Sequence, residues 1–134
     1  MNVRTLPTVE AAVLAAADRL VDAFARNDRN AYFAAFATDA TFVFHNIDRR
    51  LESRAEYENE WDGWVERDGF RVLSCCSSER RVQIAGSAAI FTHTVDTRLE
   101  LQGETLSNRE RETIVFVAAG EAGWIAVHEH LSAM

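Results

Sequence analysis

The chain has 134 residues, of which 48% are hydrophobic and 26% are charged, and its formal net charge is -7. This length supports one domain with a hydrophobic core and leaves no room for a second independent domain, so we assign residues 1–134 to a single domain. The acidic excess is spread along the chain. We therefore expect neither nucleic acid nor an anionic membrane surface as a partner, since both attract clustered basic residues.

The sequence contains no segment with the pattern of a secretory signal or a membrane span. The alanine-rich stretch at residues 11–17 is bracketed by Glu10 and Asp18, which interrupt the apolar core that a signal peptide needs. We therefore predict a cytoplasmic protein. Cys75 and Cys76 are adjacent in a predicted strand, so their side chains diverge, and we expect buried or half-buried free thiols without a catalytic role.

The N-terminal third predicts two helices and one strand. Thr8 is a suitable N-cap for a helix over about residues 8–26, and the pair Asn27-Asp28 ends that helix and caps a second, short one. Residues 40–45 are rich in β-branched and aromatic side chains, which predicts the first strand.

A third helix is predicted from Ser53 to about Arg67, with Asp68-Gly69 as its end. Large apolar side chains recur on one face of this otherwise acidic segment, at Tyr57, Trp61, Trp64 and Val65. Any helix that packs on a sheet needs such a stripe, so the rings are expected chiefly to hold the helix in place.

After Gly69 the apolar period changes from that of a helix to that of a strand. Glycine-containing breaks divide the remainder into four predicted strands, at about residues 70–84, 88–102, 105–118 and 123–132. Helices in the first half and an antiparallel meander in the second half predict an α+β fold.

Strand pairing predicts which ionisable side chains share a face. Centring one hairpin on Gly103 places His93 opposite about Glu112, and centring the next near Gly120 places Glu112 opposite about His128. The three side chains then form one row across three adjacent strands, on the apolar face. On the opposite, polar face, Asp96 and Arg109 are expected to meet.

A carboxyl group flanked by two imidazoles on an apolar wall is suited to proton transfer, because burial raises the pKa of the acid and an adjacent base holds or moves its proton. On this interpretation Glu112, His93 and His128 are the catalytic residues. The alternatives are that the three groups satisfy one another as a structural network, or that the register differs and Glu112 meets water. His128 and His130 also suggest a metal, but two ligands without a third do not define a metal site, and we expect none.

Two segments resemble the nuclear transport factor two-like superfamily, which includes ketosteroid isomerase, the SnoaL-type polyketide cyclases and the calcium/calmodulin-dependent kinase association domain. The first runs from Asn27-Asp28 to Ala40-Thr41, a short helix, acidic turn and first strand. The second and more specific one is Arg111-x-Thr113 together with Trp124-x-x-x-His128-x-His130-x-Ser132, which resembles the closing hairpin of SnoaL-like members.

The resemblance implies a cone-shaped fold in which a curved antiparallel sheet and three helices on its concave face enclose a pocket, commonly in a homodimer. It implies a small hydrophobic molecule as the partner and no cofactor. The side chains expected to contact that molecule are those of Phe44, Tyr57, Trp61, Phe116 and His130.

The resemblance also bears on mechanism. Glu112 falls near the neutral carboxylic acid of ketosteroid isomerase, but Leu20 and Phe44 stand where the isomerase has its tyrosine and its general base. Steroid isomerisation by that mechanism is therefore not expected. The two arginines of the kinase association domain correspond to Ile114 and Leu131, which argues against a carboxylate-binding pocket of that type.

Two functions stay open at this point. The first is a cofactor-independent isomerase, cyclase or lyase that transfers protons on a small hydrophobic carbonyl compound. The second is a non-catalytic homodimer that binds a ligand or serves in assembly, since one scaffold supports many activities.

Overall fold

The structure is a computed structural model that describes residues 8–134. Three helices and five strands follow one another as α1 (Val9–Ala25), α2 (Arg29–Ala34), β1 (Phe36–Phe44), α3 (Arg54–Asp68), β2 (Arg71–Ala85), β3 (Ala88–Leu101), β4 (Glu104–Ala118) and β5 (Trp124–Ala133). A single turn of 3-10 helix at Gly120–Ala122 lies between β4 and β5. The element order and the α+β class predicted from the sequence are confirmed.

The predicted helix starts are confirmed by their capping bonds. The side chain of Thr8 accepts a hydrogen bond from the amide of Ala11 at 3.1 Å, and those of Asp28 and Ser53 cap α2 and α3 in the same way. Each cap satisfies a backbone N–H that has no partner inside its helix. At the end of α3, Gly69 adopts φ 63°, a conformation that side chains disfavour.

The five strands form one curved sheet in the order β1-β5-β4-β3-β2. Neighbours from β2 to β5 are antiparallel, whereas β1 lies parallel to β5, so the sheet is mixed and not wholly antiparallel as expected. The strand β1 begins at Phe36, before the predicted start at residue 40, because the exposed Thr38 and Asp39 lie in an irregularity within the strand.

The helices pack on the sheet through aromatic rings. Tyr57 of α3 contacts Phe42 and Phe44 of β1 at ring-centroid distances of 4.7 and 5.0 Å, and Trp61 contacts Phe33 of α2 at 5.7 Å. The expected role of the α3 stripe in holding helix to sheet is confirmed for Tyr57 and Trp61, which are both buried. This cluster joins α3 to both β1 and α2.

One side chain connects the helical layer to the far edge of the sheet. Asn27, between α1 and α2, adopts φ 58° and forms two hydrogen bonds with the backbone of Val72 in β2, both at 2.8 Å. The expected contact on the other face of the sheet is also present, since Arg109 Nη1 lies 3.7 Å from Asp96 Oδ1. Within residues 8–134, no helix has the length and apolar character needed to cross a bilayer.

Candidate functional site

A cavity of about 340 Å³ lies between the helices and the concave face of the sheet. This volume suits a small organic ligand. Its walls are mostly apolar, and aromatic rings come from all three helices, from β1 and from the segment that follows α3, at Phe24, Tyr32, Phe44, Tyr57, Trp64 and Phe70.

Three carboxyl groups lie in this apolar wall. Glu110 and Glu112 come from alternate positions of β4, and Glu129 comes from β5. Their exposed fractions are only 7%, 8% and 3%. Buried carboxyl groups are costly unless they are paired, hydrogen-bonded or neutral, so each one requires a physical account.

Glu112 is held by a buried histidine on the neighbouring strand. His93 pairs with Glu112 in the β3·β4 ladder, as predicted, and His93 Nε2 lies 2.7 Å from Glu112 Oε1. The other ring nitrogen, Nδ1, lies 2.6 Å from the hydroxyl oxygen of Ser77 in β2. A carboxylate only accepts, so Nε2 carries a hydrogen and donates it to Glu112, while Ser77 completes the bonding of the ring.

Glu129 has the environment that most favours a neutral carboxylic acid. Burial raises the pKa of its carboxyl well above the usual value of 4.5, and the negative charges of Glu112 and Glu110 raise it further. Like charges at short distance in a dry site cannot both ionise at ordinary pH. Glu129 therefore holds a proton beside Glu112.

The predicted place of His128 in this row is wrong. Glu112 pairs with Leu131, and His128 pairs with Val115. The ladder shifts by one residue between Val115 and Phe116, which is a β-bulge, and a shift of one residue exchanges the two faces of a strand. Glu129 consequently faces the cavity, and His128 faces away from it.

His128 lies outside the cavity and is held by a neighbouring strand. Its Nδ1 lies 2.8 Å from the hydroxyl oxygen of Thr41 on β1. Burial and then the positive charges of Arg50 and His130 lower the pKa of the His128 imidazole. His130 is exposed and does not line the cavity, so the structure does not bring it to the expected ligand site.

The aromatic residues expected to contact a ligand divide into two groups. Phe44 and Tyr57 line the cavity. Trp61 and Phe116 do not line it, because both are almost fully buried in the hydrophobic core.

Besides Glu110 and Glu129, the polar side chains of the cavity that were not predicted as site residues include those of Tyr32 and His45. The hydroxyl oxygens of Tyr32 and Tyr57 lie 2.9 Å apart, and burial raises the pKa of both phenols, so both keep their protons. Only one of these two protons is used in the bond between them, which leaves a second O–H as a donor. His45, after β1, lies 2.5 Å from Glu110 through its Nε2 and also lines the cavity.

The thiol of Cys75 lines the cavity as well, whereas Cys76 is exposed on the other face of β2. Burial raises the pKa of the Cys75 thiol to about 11. Neither Cys75 nor the carboxyl groups form a metal site, since residues 8–134 contain no cluster of three His, Cys, Asp or Glu placed to hold an ion.

Comparisons with known structures agree on the fold. One similar structure is a nuclear transport factor two-like protein of unknown function in nutrient uptake from Rhodospirillum rubrum. It is 20% identical over 91% of this chain and 98% of its own chain, with a TM-score of 0.78. The S. rosetta CaMKII hub shares 24% identity over 98% of this chain and all (100%) of its own, with a TM-score of 0.76. A ketosteroid isomerase-like protein from Erwinia carotovora atroseptica shares 18% identity over 92% and 95% of the two chains, with a TM-score of 0.77.

At these identities the likeness shows the nuclear transport factor two-like cone and no particular activity. No curated protein matches the chain. The family model of the SnoaL-like domain matches residues 13–134. This range includes the whole sheet and all three helices, apart from the first residues of α1. The chain therefore belongs to the SnoaL-like domain family, within the nuclear transport factor two-like superfamily.

Proposed function

We propose that the protein binds a small, largely apolar carbonyl compound in the cavity and transfers a proton on it, as a cofactor-independent isomerase, cyclase or lyase. The observation that carries this proposal is the buried pair of His93 and Glu112 in the wall of an apolar cavity. Such a pair is suited to acid-base work because the imidazole orients the carboxylate and the apolar wall keeps water from competing for the proton.

The proposed roles follow from the hydrogen-bond inventory. The carboxylate of Glu112 takes a proton from the carbon beside the ligand carbonyl, and the bond electrons move toward the carbonyl oxygen as an enolate forms. The free hydroxyl of the Tyr32 and Tyr57 pair donates to that oxygen and stabilises its developing charge. Glu112 then returns the proton to the same or another carbon, which completes the transfer.

Proton transfer can be tested without knowledge of the natural substrate. Phenylacetone is a small apolar ketone with exchangeable protons beside its carbonyl, and proton NMR in deuterated buffer follows their exchange. We expect the protein to accelerate this exchange, and Glu112→Gln to lower the acceleration by a factor of about 100 to 10,000, the usual contribution of a positioned general base. The exposed variant Glu104→Gln serves as the matched control and should exchange at the rate of the original protein.

Exchange at the same rate in the Glu112→Gln variant and the original protein would contradict the proposal. Cavity binding without any acceleration would favour the second candidate, a non-catalytic ligand-binding or assembly module. That candidate is supported by the similarity to the S. rosetta CaMKII hub and by the charged face that carries Asp96 and Arg109.

If the protein is a homodimer that associates through this charged face, Asp96→Arg should weaken it, because the new charge would stand opposite Arg109. Sedimentation velocity measures the association. Glu112→Gln should leave the dimer intact, since Glu112 lies on the opposite face of the sheet. Loss of the dimer in Glu112→Gln, or an unchanged dimer in Asp96→Arg, would exclude this surface as the interface.

A further inference from the structure

The charges that line the cavity are unevenly distributed. Three carboxyl groups lie in its wall, at Glu110, Glu112 and Glu129, and none of the described lining residues is an arginine or a lysine. His93 and His45 each hold one carboxyl group, those of Glu112 and Glu110. The third carboxyl, that of Glu129, has no basic partner within residues 8–134.

Glu129 also has an unused acceptor. It is 3% exposed, and its Oε2 is fully buried without a hydrogen-bond partner among the described residues. A buried polar atom of this kind is uncommon in native proteins and requires a partner or another physical explanation. The Glu129 side chain is part of the cavity wall, which places this oxygen next to the space that a ligand would fill.

We propose that the ligand of this cavity carries an ammonium group beside its apolar body and that the Glu129 carboxylate is the counterion of this group. The inference rests on the proposed function, since it takes the cavity as the ligand site. Binding exchanges one positive charge for another: the proton leaves the Glu129 carboxyl for solvent as the ammonium enters. The net charge of the buried site is therefore unchanged, which avoids the cost of an uncompensated buried charge.

The surroundings of Glu129 fit this exchange. The titratable groups that act on Glu129 are acidic or aromatic, at Glu110 and Glu112 of β4, Tyr32 of α2 and Tyr57 of α3. His45, which is bonded to Glu110, and the neutral thiol of Cys75 in β2 share the cavity wall. The α1 side chains in the wall, Leu20, Val21 and Phe24, are apolar. Aromatic faces attract cations, and an anionic ligand would meet carboxyl groups in the same space.

Three probes of equal size but different charge test the inference: phenethylamine, phenethyl alcohol and phenylacetate. Isothermal titration calorimetry near neutral pH measures their affinities. We expect phenethylamine to bind at least about tenfold more tightly than phenethyl alcohol, because a charged hydrogen bond to a buried carboxylate replaces a neutral one, and phenylacetate to bind most weakly.

The proton exchange gives a second readout that needs no variant. Titrations of phenethylamine in two buffers with different ionisation enthalpies should show about one proton released for each amine bound, and phenethyl alcohol should release none. In Glu129→Gln the amine should lose its advantage over the alcohol, while the alcohol binds as before. Glu104→Gln should retain the advantage.

Equal binding of amine and alcohol by the original protein, or amine binding without proton release, would overturn the inference and leave the proposed function intact. Binding of none of the three probes at millimolar concentration would count against the cavity as a ligand site, and thus against both. An advantage of the amine that persists in Glu129→Gln would show that another group is the counterion.

Discussion

A glutamate carboxyl in water ionises at mildly acidic pH, and burial in an apolar wall reverses that preference. Glu129 shows the effect most strongly, because its neighbours add negative charge to a site that is already dry. Glu129 is then the neutral acid and Glu112 the carboxylate, although both are glutamates in the wall of the same cavity. This contrast allows one carboxyl to hold a proton while its neighbour accepts a hydrogen bond from His93.

The raised pKa of Glu129 gives a prediction for stability. Above the usual pKa of 4.5 the unfolded chain loses this proton while the folded protein keeps it, so the free energy of unfolding falls as pH rises. The loss is up to about 1.4 kcal/mol per pH unit until the folded carboxyl ionises. Glu129→Gln removes this titration, so its stability relative to the original protein should increase with pH.

Urea denaturation at mildly acidic and at neutral pH measures this difference. The exposed variant Glu104→Gln should differ from the original protein by nearly the same amount at both pH values. A stability difference for Glu129→Gln that does not grow with pH would mean that Glu129 ionises in the folded protein as it does in water.

The two cysteines should differ in reactivity. Thiolates are the reactive form, and burial raises the pKa of the Cys75 thiol to about 11, whereas Cys76 is exposed. We expect a thiol reagent such as dithionitrobenzoate to modify Cys76 at least about tenfold faster than Cys75 at mildly alkaline pH. Absorbance at the wavelength of the released chromophore, measured for Cys75→Ser and Cys76→Ser, separates the two rates. Equal rates in the two variants would show that the cavity is open to solvent at Cys75.

At the scale of elements, regular structure followed from local signals. Thr8, Asp28, Ser53 and Gly69 mark helix ends by their own side-chain or backbone preferences, so the helix boundaries could be predicted closely. The hairpin at Gly103 has a short turn, and the register of β3 and β4 followed from it. The pairing of His93 with Glu112 could therefore be predicted.

The register of β5 could not be predicted in this way. Two features change the pairing of β5 with β4 from that of a simple hairpin: the 3-10 turn at Gly120–Ala122 and the bulge near Val127. The turn displaces the pairing along the strand, and the bulge exchanges the faces. No pattern in a single sequence marks a bulge between Ala126 and His128. One signal did favour Glu129 as a cavity residue, because it shares a strand face with the apolar Leu131.

The Asn27 side chain joins two elements, and its contribution to stability can be measured. It forms both hydrogen bonds that connect the α1–α2 junction to β2. Asn27→Gly keeps the backbone conformation accessible and removes both bonds, so we expect the free energy of unfolding to fall by about 1–3 kcal/mol. Asn27→Asp retains the acceptor for the Val72 amide but loses the donor to the Val72 carbonyl, and it should be intermediate. Urea denaturation measures the series, and a glycine variant as stable as the original protein would contradict the account.

At the scale of the whole molecule, the acidic composition has two parts. Most of the excess negative charge is exposed, where it favours solubility, but three carboxyl groups line an apolar cavity. Composition alone predicted the first part only. The second depends on the curvature of the sheet, which brings alternate residues of β4 and a bulged β5 toward the same helices.

Both the proposed ligand and the pH dependence of stability require Glu129 to be a neutral acid beside the hydrogen-bonded Glu112. Carbon-13 NMR of the glutamate carboxyl groups tests it most directly, with Glu129→Gln and Glu112→Gln used to assign the two signals. We expect the Glu129 carbon to keep the chemical shift of a protonated carboxyl well above pH 4.5, and this signal to move when Glu112→Gln removes the neighbouring charge. Titration of Glu129 at 4.5, like an exposed glutamate, would contradict it.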